Sequence, residues 1–253
     1  MKTALITGAS AGLGAEFVRQ LPAAFPEIEA VWLIARRTDK LEEVSSVLPQ
    51  RMTVRLLSLD LCAEESITAL EALLREQQPE IALLVNNAGC GYHGNLGETD
   101  TNKLTRTVDL DIRALTAVTN VTLPFMASGS RIINISSIAS FCPNPGMTVY
   151  SASKAYVSAF SRGLLEEVRP RGIRVTAVCP SPMRTEFLDI GGITGNSRMF
   201  EVLPYCVPEQ VVRGAYRAAK AGRAVYTPKL FFKFYRVLAK ILPQAWMVKL
   251  AKT

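Results

Sequence analysis

The chain predicts an α/β fold: a single doubly wound domain on a mainly parallel sheet of about seven strands, with an amphipathic C-terminal helix. Three observations predict it. Short apolar runs rich in β-branched residues alternate with segments of helical periodicity along most of the chain. The first such run passes into a glycine-rich loop and then a helix, the order that opens a parallel βαβ unit. No repeat, low-complexity stretch or linker divides the 253 residues, a length that suits one large α/β domain.

The elements follow in order. Residues 3–7 form the first strand, and the loop from Thr7 to Gly14 leads into a helix carrying Phe17, Val18 and Leu21. In this context Gly8 permits a tight turn, Gly12 lets the backbone approach a pyrophosphate, and Gly14 lets the helix pack closely. The helix N-terminus then faces the phosphates. The alternative is a glycine turn with no ligand. A connection containing Pro22 and Pro26 precedes the second strand, 30–35, which ends in Ala35-Arg36-Arg37. In a dinucleotide-binding unit an acidic residue at this point meets the 2′-hydroxyl of NAD, whereas a basic one accommodates the 2′-phosphate of NADP. Here the acid is missing and two guanidiniums follow, so the expected cofactor is NADP(H).

Residues 40–47 read as a helix and 52–59 as a third strand ending at Asp60, either the N-cap of a helix over 63–76 or a contact for an adenine amino group. A fourth strand, 81–85, leads into Asn86-Asn87-Ala88-Gly89, a sequence that tolerates left-handed turns. His93, the only histidine, lies just beyond and has no nucleophile motif with it, so a structural or pocket-lining role is expected. Periodicity predicts one long helix over 101–126, then a fifth strand, 131–135, ending at Ser136-Ser137. Pro143, Asn144, Pro145 and Gly146 break the chain before a helix over 150–168. A sixth strand, 173–179, opens into an irregular stretch, 181–207, with Gly191, Gly192 and Gly195, expected to act as a lid. A helix over 208–221 and a short strand over 224–227 complete a unit of residues 1–228.

On the helix at 150–168, Tyr150 and Lys154 share one face. A phenol is a poor acid at neutral pH, and a fixed cation beside it stabilises the phenolate, which brings it toward the range where a general acid/base works. With these motifs in place, the chain resembles the short-chain dehydrogenase/reductase family in its compact, single Rossmann-domain form. Thr7 to Gly14 matches the family's cofactor loop, and Asn86 to Gly89 its fourth-strand motif. Tyr150-Ser151-Ala152-Ser153-Lys154 matches the active site, with Ser137 thirteen residues before Tyr150. The stretch 180–185 matches the segment that meets the nicotinamide carboxamide.

The resemblance implies an oxidoreductase that interconverts a carbonyl and an alcohol. Tyr150 would be its general acid/base, Ser137 would orient the substrate oxygen, and Lys154 would lower the tyrosine pKa. Cofactor contacts are implied for Gly8, Ser10, Ala11, Gly12, Leu13, Gly14, Arg36, Arg37, Asp60, Leu61, Asn87, Ala88, Gly89, Tyr150, Lys154, Pro180 and Thr185. Two positions depart from the family. Asp111 stands where a central-helix asparagine completes the catalytic tetrad. Because that asparagine acts through its main-chain carbonyl, the substitution is expected to be tolerated. Ser181 stands where a glycine commonly follows the proline. A catalytically weak dinucleotide-binding sensor of the same fold is the other reading. The resemblance also implies a homodimer or homotetramer.

The remaining features bound the partners. The net charge is +7, and residues 213–252 hold ten Lys and Arg with no Asp or Glu, yet no nucleic-acid motif accompanies them. Five cysteines without a CxxC pair, and one histidine, exclude a Cys/His zinc site. Reduced cysteines and a start without a cleavable leader point to the cytoplasm. The extension 229–253 carries Lys229, Lys233, Arg236 and Lys240 on one helical stripe, with Phe231, Phe234, Tyr235, Leu238 and Leu242 elsewhere. It is too short to span a bilayer. Peripheral contact of 229–250 with a membrane, which would favour a lipophilic substrate, competes with packing against the lid or a partner subunit.

Overall fold

The apolar runs become seven strands: β1 (Lys2–Thr7), β2 (Ala30–Ala35), β3 (Thr53–Ser58), β4 (Glu80–Asn86), β5 (Arg131–Ile135), β6 (Arg174–Val178) and β7 (Val225–Tyr226). The structure is a computed structural model and describes residues 1–193 and 203–251. The strands form one sheet in the order β3-β2-β1-β4-β5-β6-β7, with every pairing parallel. The order reverses between β1 and β4, and such a switch point opens a crevice at the carboxyl ends of the strands.

Alternate residues of each central strand feed opposite cores. Ala4, Ile6, Leu33 and Val85 pack under α1 (Gly12–Ala24), α2 (Thr38–Ser45) and a helix over Pro208–Lys220, with Phe17, Leu21, Val211 and Tyr216. Leu5, Ile34, Leu84 and Val175 face α3 (Glu64–Gln77), α5 (Leu115–Thr122) and α6 (Thr148–Val168), with Leu74, Val118 and Leu164. Each fully buried aliphatic side chain contributes about 1.5–3 kcal/mol. Because both faces are covered, the central strands read as continuous apolar runs.

Three local expectations differ from the structure. Helix α1 runs through Pro22 to Ala24. The Phe25 N–H donates to the Leu21 carbonyl and carries the ladder past the donor that proline lacks. The predicted single helix over 101–126 is α4 (Thr101–Val108), a π-helical stretch over Asp109–Ala114, α5, and a 3₁₀ turn at Leu123–Phe125. Neither Asn86 nor Asn87 has a positive φ. Asn86 completes β4, and its amide donates to Thr119 and Asn134, 2.9 Å each.

After Pro180 the chain forms α7 (Glu186–Ile190), then α8 (Pro208–Lys220), α9 (Leu230–Ile241) and α10 (Gln244–Leu250). Residues 194–202 of the expected lid, Gly195 included, lie outside the described residues. Ser181 ties the two ends of that segment together: its hydroxyl donates to the Pro204 carbonyl at 2.8 Å. The C-terminal helices fold back on the domain. Phe232 is buried, Cys142 packs with Met247 and Ala251, and the Asn144 amide donates to the Ala251 carbonyl at 3.1 Å.

The first turn is held by close backbone approach. Gly8 has φ +64°, and a Cβ on Gly14 would lie 2.0 Å from the Gly8 carbonyl oxygen and 2.6 Å from the Asn87 amide. Gly163, exposed within α6, has no neighbouring atom within 4 Å of such a Cβ. Gly14→Ala should therefore destabilise the fold by at least about 1–3 kcal/mol of overpacking. Gly163→Ala should stabilise it by about 0.5–1 kcal/mol. Urea denaturation of both variants measures this, and equal midpoints for Gly14→Ala and the parent would refute the close-packing account.

Candidate active site

The loops after β1, β4, β5 and β6 meet above the switch point, and α6 crosses them. Ser137 lies two residues beyond β5 and caps the 3₁₀ turn Ile138–Ser140, its hydroxyl accepting the Ala139 N–H at 3.1 Å. Four residues apart on α6, Tyr150 and Lys154 face this end. The Tyr150 ring lies 5.6 Å from that of Phe187, and the Ser137 hydroxyl is near enough to the phenol to favour its ionised form. Gly91 leaves the ring its space: a Cβ there would fall 2.4 Å from Tyr150 Cδ2. Lys154 is buried, donates to the Ile135 carbonyl at 3.3 Å, and lies 5.5 Å from the Tyr150 ring centre.

Asp111 sits at the centre of this cluster, fully buried. One carboxylate oxygen lies 2.9 Å from Lys154 Nζ and accepts the Ser153 hydroxyl at 3.0 Å. The other accepts the Cys90 N–H at 2.9 Å. The side chain, and not only the main chain, is thus engaged at this point: it forms a buried ion pair with the lysine. The π-helical stretch carries Asp111 into this position, and such widened turns recur at functional sites.

Burial pushes the Tyr150 phenol above its ordinary value, the Lys154 charge and the Ser137 hydroxyl act downward, and Asp111 adds to the upward side. Lys154 thus acts on the phenol in the direction that the spacing predicts, while burial and the Asp111 carboxylate, which spacing does not reveal, oppose it. Burial alone would lower the Lys154 pKa, but Asp111 and Tyr150 overcome it and hold the ammonium above its ordinary value. Burial also pushes the neighbouring Cys90 thiol up to about 11, so it stays protonated at neutral pH.

These groups border a cavity of about 610 Å³. Of the sequence-predicted residues, Gly8, Ala11, Gly12, Leu13, Arg36, Asn87, Ala88 and Gly89 line it, as do Ser137, Tyr150, Lys154, Pro180 and Thr185. Ser10, Gly14, Arg37, Asp60, Leu61 and Asp111 stand behind the wall or beside it. Gly14 supports the loop from below, and Leu61 is core. Arg37 pairs with Glu186 at 2.8 Å, both half-exposed. Asp60 is not the cap of α3, which is Ala63. Its carboxylate accepts the Cys62 N–H at 3.1 Å and pairs with Arg106 at 3.0 Å. Burial opposes that charge, but the two donors hold the carboxyl below its usual value.

The site fits a nicotinamide dinucleotide. The first turn of α1 has neither a side-chain cap nor an acidic residue, and Ala11, Gly12 and Leu13 line the cavity with Arg36. Asn87 braces the loop, its amide donating to the Thr7 and Gly8 carbonyls at 3.1 Å each.

His93 lies outside the lining, and its backbone N–H donates to the Gly191 carbonyl at 2.9 Å. Sequence reasoning missed Arg106, which reaches the cavity from α4, and the wall made by Phe231, Phe232, Tyr235, Leu238 and Leu242 of the C-terminal segment. The apolar positions of α9 were visible in the sequence, but nothing there showed that they close this cavity.

Sheet order, glycine turn and the Ser/Tyr/Lys cluster define a dinucleotide-binding α/β oxidoreductase. The family model for short chain dehydrogenases matches residues 2–190. The chain is 34% identical over 190 residues to sulfoacetaldehyde reductase 2 of Chromohalobacter salexigens, covering 72% of this chain and 73% of that one. It is 32% identical over 196 residues to human very-long-chain 3-oxoacyl-CoA reductase, covering 74% of this chain and 61% of the relative. A short-chain dehydrogenase from Sphingobium yanoikuyae, solved in complex with NADPH, superposes with a TM-score of 0.81 at 29% identity, over 98% of this chain and 95% of that one. A Burkholderia phymatum structure with NAD shares the fold, at a TM-score of 0.80 and 21% identity, over 94% of this chain and 92% of that one. The protein belongs to the short-chain dehydrogenase/reductase family, whose fold binds a nicotinamide dinucleotide.

Removing the Asp111 charge leaves a buried ammonium without its counter-ion. Asp111→Asn is therefore expected to cost about 3 kcal/mol of stability. Ser153→Ala should cost less, about 1 kcal/mol for one hydrogen bond. Chemical denaturation of the two variants at neutral pH tests the order. Equal, small losses would show that the ion pair contributes little.

Proposed function

We propose that the protein is an NADP(H)-dependent oxidoreductase that interconverts a lipophilic carbonyl and the corresponding alcohol. The observation that carries this reading is the convergence of Ser137, Tyr150 and Lys154 on one cavity wall, next to an uncapped helix N-terminus and Arg36. The bound nicotinamide supplies or accepts the hydride. Gly12, Leu13, Asn87 and Ala88 hold the dinucleotide, Arg36 meets the 2′-phosphate, and Pro180 and Thr185 border the nicotinamide end. Ser137 fixes the substrate oxygen by a hydrogen bond. Tyr150 donates its proton to that oxygen in reduction and removes it in oxidation.

Lys154 stabilises the phenolate that forms, and Asp111 offsets part of that charge. Tyr150, like any phenol whose pKa is not lowered far, carries its proton in the neutral range, which suits donation to a developing alkoxide. The same offset would favour a weakly active dinucleotide sensor if turnover proved negligible. Lining by Met147, Leu188, Tyr235 and Leu238 favours an apolar substrate over a small polar one. Residues 1–228 form the catalytic unit in this reading, and side chains between 231 and 251 close its cavity. A cytoplasmic location agrees with five free thiols. A homodimer or homotetramer rests on the resemblance to the family.

Tyr150→Phe removes only the hydroxyl. It should lower kcat by at least about a hundredfold on a carbonyl panel followed by NADPH consumption, with little change in NADPH affinity. Wild-type kcat in this variant, on a substrate for which chemistry limits the rate, would refute the assignment. A parent that binds NADPH but turns over no carbonyl would establish the sensor instead.

Ala35 leaves no carboxylate to repel a 2′-phosphate. Arg36→Ala should therefore weaken NADPH by about 1.5–3 kcal/mol and NADH much less. Arg37→Ala should weaken NADPH less, since Glu186 already holds that guanidinium. Calorimetric titration with both cofactors decides, and equal weakening of NADPH and NADH by Arg36→Ala would overturn the phosphate role.

A further inference from the structure

Helix α9 has three faces. The inner one, with Phe232, Tyr235 and Ala239, packs on the domain, and Phe231, Leu238 and Leu242 join Phe232 and Tyr235 in the cavity wall. The second carries Leu230, Phe234, Val237 and Ile241, at successive spacings of four, three and four, all on the outside. Their exposures are 79, 64, 49 and 73%. Between these two faces runs the stripe Lys229, Lys233, Arg236 and Lys240. Beyond Pro243, Trp246 extends the apolar surface with 65% exposure, and Lys249 adds another cation. A patch of four aligned aliphatic and aromatic side chains plus a tryptophan is larger than singly scattered surface residues.

We infer that this face is a docking surface for an anionic phospholipid bilayer and that the substrate cavity opens onto it. Charge complementarity selects this occupant. Four cations border the apolar seam, Lys249 follows on the next helix, and no Asp or Glu occurs after Glu209 to repel an anionic surface. A second copy of the chain would set the same cations against each other in a two-fold contact. Helix α9 has 12 residues, which suits lying in the interface plane, and no helix among the described residues is long and apolar enough to cross a membrane. Exposed Trp246 suits the headgroup level. Phe231 and Leu242 both line the cavity and reach the surface, with 60 and 38% exposure, so the cavity mouth lies beside the seam. A carbonyl or alcohol dissolved in the bilayer would enter there without crossing water. This access route rests on the function proposed above; the docking itself does not.

Flotation of the full chain with phosphatidylcholine vesicles, with and without phosphatidylserine, tests the inference at low and high salt. Partition onto the anionic vesicles should exceed that onto neutral ones by at least about tenfold, and high salt should remove most of the excess. Two double variants, Phe234→Ser with Ile241→Ser and Lys233→Glu with Lys240→Glu, change residues outside the cavity wall. The first should lose binding to all vesicles and the second its preference for phosphatidylserine, while both keep the parent's melting temperature and its turnover of a water-soluble carbonyl. The Trp246 emission should shift to the blue with vesicles in the parent, and Trp246→Phe, which keeps the buried Trp32, should abolish that shift.

A parent that stays unbound with anionic vesicles and shows no emission shift overturns the inference. If the apolar double variant then lowers the sedimenting mass, the seam belongs to a contact between copies. Neither flotation nor emission needs turnover. Docking without catalysis would refute the proposed reaction alone, and catalysis without docking would refute this surface alone.

Discussion

A buried ammonium must be compensated, and the centre of this molecule is arranged around compensating Lys154. Desolvation by itself would strip the lysine of its charge. Asp111 prevents that at 2.9 Å, while Ser153 and the Cys90 N–H orient its carboxylate. The pair draws four pieces of chain together: the loop after β4, the π-helical stretch after α4, the end of β5 and the first turns of α6. Gly89 records how tightly they meet, since a Cβ there would lie 3.0 Å from Asp111 and 3.1 Å from Lys154. The cost of this arrangement is electrostatic. A counter-ion that secures the lysine also shields part of the charge that the phenol of Tyr150 feels, so the site favours a protonated tyrosine.

The sheet makes that meeting possible. Parallel strands deliver all their carboxyl ends to one edge, and the reversal of order between β1 and β4 leaves room there. The rest of the local chemistry is bracing. Thr7 accepts the N–H groups of Asn87 and Ala88 at 3.0 and 3.1 Å, which locks the glycine loop to the fourth-strand loop. Ser136, Ser158 and Ser140 link the end of β5 to α6 through hydroxyl contacts of 2.8 and 3.0 Å. Satisfied polar groups of this kind hold a site to a single geometry.

The C-terminal helix serves two surfaces at once. Its inner residues complete an apolar cavity that the loops after the strands alone would leave open on one side, and its outer residues leave an apolar seam beside a row of cations.

Periodicity and turn chemistry by themselves determined the alternating elements, the parallel sheet, the glycine loop, and the shared face of Tyr150 and Lys154, to which the family resemblance added Ser137. These are local patterns, and a strand followed by a glycine turn and a helix has few ways to fold. Arg36 was legible for the same reason, because it follows directly on a strand end. Tertiary structure alone decided what depended on neighbours distant in sequence. It put the Asp111 carboxylate, and not only its backbone, on Lys154. It gave Arg37 to Glu186 and Asp60 to Arg106. It turned one face of α9 into a cavity wall and left another uncovered. Spacing along a helix tells which side chains share a face; only packing tells what that face meets, how dry the contact is, and therefore which way a buried phenol or ammonium titrates.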